Sequence, residues 1–320
     1  MDLNRKTDSK EEAAMKRNFL KQRQSLPLNL KIELSKRRIT EFYDHFDGNV
    51  YVSFSGGKDS TVLLHLIRTL YPDILAVFID TGLEYPEIKE FVKSYNNVTI
   101  IKPERKFSKV IEDYGYPLIS KEIAKFIEDN RRKPNGYTAK KFDPNSDYVK
   151  KYGSRYDLSK WIFLRNSNIK ISSKCCDVMK KRPAKKFEKE TGLKPYIATM
   201  AFESNIRKTE YIKKGCNSFE SKRPASTPLG FWTEQDIFQY LTEYNLPYAS
   251  VYGEIKQHKN GRYYTSGADR TGCMFCMFGI QSEKSPNRFE KMKNTHPKLY
   301  DYCINKLGCG KVLNFIGVKY

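Results

Sequence analysis

The chain has 320 residues, 39% hydrophobic and 13% aromatic, with 58 Lys and Arg against 37 Asp and Glu, for a formal net charge of +21. That length and composition can bury a full core, which excludes disordered and staple-dependent miniature classes. The charge favours anionic partners, either nucleotides or nucleic acid, unless the lysines are simply spread over solvated faces.

Residues 1–47 carry Lys and Arg among scattered leucines, a pattern that predicts one or two amphipathic helices forming a basic N-terminal extension. The opening Met1-Asp2-Leu3-Asn4-Arg5-Lys6 leads into more charge rather than an apolar leader. No charge-free apolar run reaches membrane-spanning length, so a cytoplasmic chain with no membrane partner is expected. Val50-Tyr51-Val52-Ser53-Phe54 then reads as a strand, and Thr61 to Leu70 as a helix with Leu63, Leu66, Ile67 and Leu70 on one face. Ile74 to Ile79 is continuously apolar, as a strand buried on both faces should be. A helix over Pro86 to Tyr95 and a strand over Val98 to Lys102 continue the alternation. The predicted fold is α/β, an open parallel sheet with helices on both faces, over residues 48–250.

Residues 131–159 lack either periodicity and read as a surface insertion. Regular structure resumes as a helix over Lys180 to Thr191, a strand over Tyr196 to Ala201 and a helix over Glu234 to Tyr244. Residues 251–320 form a C-terminal cysteine-bearing region.

Ser55-Gly56-Gly57-Lys58-Asp59-Ser60 lies where a strand ends and a helix begins, the place where ligands collect in an open α/β sheet. Two glycines admit close approach of the backbone, the following amides sit at a helix N-terminus, and Lys58 adds positive charge, so phosphate is the expected guest. The spacing is too short for a Walker A loop. Lys58 and Asp59 are the catalytic candidates there.

Cys175-Cys176 and Cys273-Met274-Phe275-Cys276 bring two cysteine pairs. Four thiolates can enclose one [4Fe-4S] cluster, and adjacent cysteines suit that wide target. Zinc, a redox pair and plain buried thiols are the alternatives. The seven cysteines are too sparse for a disulfide scaffold, which leaves Cys216, Cys303 and Cys309, with Cys309 the best remaining nucleophile candidate.

The loop resembles the SGGxDS fingerprint of the PP-loop superfamily, with Asp80-Thr81-Gly82 matching its motif after the second strand. Ser173-Lys174-Cys175-Cys176, Phe202-Glu203-Ser204 with Arg207, Pro228-Leu229 with Trp232-Thr233 and Asp236-Ile237, Leu246-Pro247-Tyr248 and the Cys273/Cys276 pair are similar to the phosphoadenylyl-sulfate (PAPS) reductase branch. The resemblance implies nucleotide binding by Ser55 to Ser60, Asp80, Thr81, Gly82 and Arg207, and cluster ligation by the four paired cysteines. ATP or a related adenine nucleotide, Mg²⁺ and a [4Fe-4S] cluster are the implied cofactors.

The chain departs from true reductases in having no ECG-x-H segment near its end, and its intact loop points instead to ATP cleavage between the α and β phosphates, followed by sulfur transfer. The implied partners are a sulfur donor or thioredoxin-like reductant and a nucleic-acid acceptor, tRNA or DNA. Reduction of PAPS or adenylyl sulfate to sulfite is the alternative activity. A non-enzymatic nucleotide- and redox-sensing module that binds nucleic acid is the third reading.

Overall fold

The computed structural model describes residues 10–320. The first nine residues of the basic extension, and with them the reading of the opening hexapeptide, lie outside the described residues. Two compact units are built from interleaved stretches. One takes the chain up to Ile79, Tyr85–Ile101 and Lys185–Thr271; the other takes Asp80–Glu84, Lys102–Ala184 and Gly272–Tyr320. These boundaries cut across the consecutive segments 1–47, 48–250 and 251–320. Among the described residues no helix is long and apolar enough to cross a membrane.

The first unit is an α/β layer structure around a six-stranded sheet. Strands β1 (Val50–Ser53), β2 (Ala76–Ile79) and β3 (Val98–Ile101) run parallel in the order β3-β2-β1. On the far side of β1 the parallel strands Lys194–Ile197 and Ala225–Ser226 follow, and antiparallel Asn217–Ser218 closes the edge. The strand order reverses at β1, so its carboxyl end opens a crevice at a topological switch point. Val50 and Val52 of β1 and Ala76 and Phe78 of β2 lie in the core, as parallel strands covered on both faces require.

Helices α1 (Lys10–Ser25) and α2 (Leu28–His45) pack on this unit, and α3 (Lys58–Arg68) and α4 (Pro86–Lys93) follow β1 and β2. The second of these is more than a solvated face: it buries Leu28, Ile32, Ile39 and Phe42, together with Lys31 and Ser35. Lys31 Nζ reaches both carboxylate oxygens of Asp236, at 2.8 and 2.7 Å, and the Gln24 carbonyl at 2.7 Å. The Trp232 indole N–H donates to Ser35 Oγ at 2.9 Å, and that hydroxyl donates to the Pro228 carbonyl at 3.0 Å. Asp236 also accepts from the Thr233 amide at 2.6 Å, closing the N-terminus of the helix Glu234–Glu243. The Pro228 to Asp236 stretch is therefore a receptor for α2 as well as a helix start.

In the second unit the two-residue strand Leu118–Ile119 is the hub. It pairs in parallel with Met277–Phe278, and Tyr116, just ahead of it, bridges to Ile171. Those contacts draw the segment leading to Cys175 and the segment carrying Cys273 and Cys276 to the same short strand. Ser120 Oγ then accepts from the Ile123 amide at 3.1 Å and caps the helix Lys121–Arg132, which the sequence reading did not single out. The region expected to be an irregular insertion, 131–159, is a string of short helical turns at Tyr137–Lys141, Asp147–Tyr152 and Ser154–Tyr156.

Candidate functional site

The Ser55 to Ser60 loop leaves the carboxyl end of β1 and enters α3. Gly56 has φ +71°, and a Cβ there would lie 2.7 Å from Val92 Cγ2 and 2.9 Å from Ile88 Cγ2 of α4. Only glycine satisfies both the turn and that close packing. Ser60 Oγ receives the Ser55 amide at 3.2 Å, lies 3.0 Å from Ser55 Oγ, and donates to the Gly57 carbonyl at 2.9 Å. The two serines thus tie the loop into a closed ring whose amides stand at the helix N-terminus.

Lys58 is 5% exposed. Its Nζ lies 3.2 Å from Glu234 Oε1 and donates to the Asp269 carbonyl at 3.1 Å, with the rings of Phe238 and Tyr252 at 5.5 and 5.6 Å. Its amide donates to the Tyr252 hydroxyl at 3.2 Å, and that hydroxyl is 2.6 Å from Thr271 Oγ1. Asp59 has a buried Oδ1 that no donor meets, although 27% of its side chain remains exposed. Burial raises the Asp59 carboxyl, helped by Glu234, while Lys58, Arg270 and Arg207 pull it down. Three cationic side chains therefore act on one carboxylate beside the loop.

The sign of that shift predicts a stability effect. A carboxyl raised by folding favours the fold when protonated, and this contribution is lost as pH rises through its folded value. Asp59→Asn is therefore expected to raise the melting temperature of the ligand-free chain at neutral pH. The gain should shrink toward acid pH in a calorimetric series.

Arg207 sits on the helix Asn205–Lys214, whose first turn is capped by Ser204 Oγ accepting the Arg207 amide at 3.2 Å. Its guanidinium pairs with Glu203, which also receives the Met200 amide at 3.2 Å. The Glu203-Ser204-x-x-Arg207 element is thus a helix start that presents one arginine. Arg207 also lines a cavity of about 340 Å³ with Thr199, Met200, Tyr211, Lys214 and Arg223. That volume is within the range of small-molecule sites.

Asp80, Thr81 and Gly82 belong to the cysteine-bearing unit rather than to that of the loop. Asp80 Oδ1 accepts the Gly82 amide at 3.0 Å, and Glu84 Oε1 accepts the Thr81 hydroxyl at 2.7 Å. Glu84 in turn lies 3.6 Å from Lys180 Nζ. Lys180 hydrogen-bonds to Cys273, and this contact with Glu84 and the thiols raises its ammonium against the opposing effect of burial.

The structure brings the four paired cysteines into one electrostatic neighbourhood. Burial raises Cys175, reinforced by Cys176, Cys273 and Cys276. Burial likewise pushes Cys273 up to about 11, with Lys180 opposing, and raises Cys276 against the Phe278 amide and Arg288. Arg288 also donates to the Cys276 carbonyl at 3.0 Å. Among the described residues no three His, Cys, Asp or Glu side chains are grouped as a metal site. The four side chains are all thiols, with Lys180 and Arg288 beside them.

Cys309 is fully buried, and its thiol is hydrogen-bonded to Cys303, whose own thiol is raised by that bond and by burial. This is the setting of a small buried thiol, whose reactivity depends on access.

Sequence reasoning passed over Glu234, Tyr252, Asp269, Arg270 and Thr271. The polar run Asp269-Arg270-Thr271 beside Cys273 was the available signal.

The family model described as phosphoadenosine phosphosulfate reductase domain matches residues 49–121 and 120–278. The chain is 27% identical over 280 residues to an uncharacterized protein of Methanocaldococcus jannaschii, covering 84% of this chain and 43% of that protein. It is 24% identical over 208 residues to an adenosine 5'-phosphosulfate reductase of Geobacillus thermodenitrificans, covering 64% of this chain and 68% of that protein. The chain spans about half the length of the first curated relatives it matches. A crystal structure of PAPS reductase from Candida auris, in a phosphate complex, aligns at TM-score 0.38 and 18% identity over 76% of this chain and 91% of that one.

Proposed function

Because the chain belongs to the phosphoadenosine phosphosulfate reductase domain family, we propose that its Ser55 to Ser60 loop binds ATP or a related adenine nucleotide, cleaves it between the α and β phosphates, and couples this to sulfur transfer. The observation that carries this reading is the buried Lys58 at the head of α3, in an intact loop at the carboxyl end of β1 where the charges of Arg207 and Arg270 also act on Asp59. Phosphate would exchange with Glu234 and the Asp269 carbonyl for Lys58, while loop amides at the head of α3 meet its oxygens. An acceptor oxygen attacks the α-phosphorus, and the bond to the bridging oxygen breaks. Pyrophosphate leaves with its charge held by Lys58 and the loop. A sulfur nucleophile from a donor then displaces AMP from the adenylated acceptor.

Arg207 lines the 340 Å³ cavity and interacts electrostatically with Asp59, which supports a ligand seated in the cavity with its anionic end toward the loop. Mg²⁺ would arrive on the nucleotide's phosphates, since it needs few protein carboxylates. Cys175, Cys176, Cys273 and Cys276 would hold the iron–sulfur cluster, which when bound supplies an electron-accepting, sulfur-binding centre. The basic surface suits a nucleic-acid acceptor.

Reduction of adenylyl sulfate or PAPS to sulfite is the second reading, favoured by the Geobacillus relative and opposed by the burial of Cys309. Anaerobic purification with iron and sulfide analysis tests the thiol site without any assay of turnover. The native chain should carry both elements, and Cys176→Ser should lose both while retaining ATP binding by calorimetry. A chain carrying one zinc and no sulfide would refute the cluster assignment. ATP binding indifferent to Lys58→Ala would refute the loop assignment.

A further inference from the structure

We propose that residues 131–165 form a binding platform for single-stranded nucleic acid. The segment carries ten Lys and Arg against three Asp, with Tyr137, Tyr148, Tyr152 and Tyr156 interleaved. Three of these tyrosines are open to solvent, at 63%, 50% and 38% exposure for Tyr137, Tyr152 and Tyr156. Their rings form a chain: Tyr137 is 5.2 Å from Tyr148, Tyr148 is 4.7 Å from Tyr152, and Tyr152 is 6.0 Å from Tyr156.

Lys141 holds two members of this array, Tyr148 and Tyr156. It is 6% exposed, its Nζ donates to the Tyr148 hydroxyl at 3.2 Å, and it lies 4.2, 4.8 and 5.5 Å from the rings of Phe126, Tyr148 and Tyr156. A buried ammonium held by three aromatic rings orders them before any partner arrives, which lowers the entropic cost of binding. Lys140, Lys150, Lys151 and Arg155 of the same segment are exposed, with Lys151 5.5 Å from the Tyr152 ring and Arg155 6.0 Å from the Tyr156 ring.

Solubility alone requires the charges but not the exposed rings. A protein partner would call for a patch whose centre is depleted of charge. Aromatic faces alternating with cations match unpaired bases that stack while their phosphates are neutralised. A duplex hides its base faces and is the poorer fit. The inference deepens the nucleic-acid acceptor named above and rests on that part of the reading, but it is measured by binding alone.

The test is fluorescence anisotropy of the full chain with a labelled 20-nucleotide DNA strand, the matching RNA strand and the DNA duplex, over a salt series. Either single strand should bind roughly 10-fold or more tightly than the duplex, and the stronger of the two identifies the natural polymer. Tyr137→Ala with Tyr152→Ala should weaken single-strand binding about 10-fold or more, as loss of base stacking does. Tyr152→Phe should retain affinity, because stacking needs the ring and not the hydroxyl. Lys150→Gln with Lys151→Gln should flatten the salt dependence by about two phosphate contacts. Tyr264→Ala, an exposed tyrosine of the other unit, should change nothing.

Duplex bound as well as single strands, or tyrosine removal without effect, would overturn the proposal. ATP binding by the unsubstituted chain is measured in parallel. A chain that binds ATP but no single strand loses this inference alone.

Discussion

Lys58→Ala is expected to lower kcat/KM for ATP-dependent pyrophosphate release by about 100- to 1000-fold, the usual cost of removing one preorganised group from developing charge. Two features of the site set that size. Lys58 is buried at 5% exposure, so its charge acts in a medium that screens it poorly. It is also held in place by Glu234, the Asp269 carbonyl and two aromatic rings, so little reorganisation remains for the reaction. The same substitution leaves Glu234 and Asp59 without their nearest cation, so a melting curve must accompany the kinetics. Lys58→Arg separates the two effects: it keeps the charge for the acids but moves it relative to the phosphates. It should fold like the parent and still turn over slowly. Full activity in Lys58→Ala would remove the lysine from the chemistry.

Asp236→Ala should destabilise the chain by about 3–5 kcal/mol in chemical denaturation, because it strands a buried ammonium. Lys31 is 2% exposed and would keep only the Gln24 carbonyl. The helix Glu234–Glu243 would lose its reciprocal cap with Thr233 as well, worth about 1 kcal/mol. Replacing both partners, Lys31→Met with Asp236→Leu, should recover most of the loss, since an apolar pair of similar volume leaves no orphaned charge. If the single substitution cost no more than an exposed ion pair, α2 would not be anchored through Lys31.

The nucleotide loop was legible in the sequence because its signal is local. A β-prone run, two glycines and an amphipathic helix follow one another without a gap, and the fold needs all three at the carboxyl end of β1. The partition of the chain into interleaved units was not legible. Asp80 to Glu84 directly follows β2, yet Glu84 turns to Lys180, nearly a hundred residues on, and no periodicity encodes that choice. Asp236 shows a related limit. Its spacing from Trp232 matched a family element, but its work with Lys31 and Thr233 is structural and depends on a helix two hundred residues earlier.

Cys309 stood as the best remaining nucleophile candidate beside the reading of a small buried thiol. The left-handed Gly308 precedes the helix Cys309–Phe315, and Cys309 there meets Cys303 inside the unit. The stretch 131–159 read as irregular because turns of three to six residues are too short to display a period. The tyrosines that gather around Lys141 are spaced for three-dimensional contact and not for one face of a helix.

On this reading the Ser55 to Ser60 loop activates ATP rather than serving a plain sulfonucleotide reductase. The most direct measurement supplies one anaerobic preparation with ATP and, separately, with PAPS and a thioredoxin-like reductant, following pyrophosphate in the first and sulfite in the second. Pyrophosphate release from ATP, lost in Lys58→Ala and stimulated by a nucleic-acid acceptor, with little sulfite, is the expected result. Robust sulfite release without pyrophosphate would contradict it, and so would tight ATP binding with no turnover of either substrate.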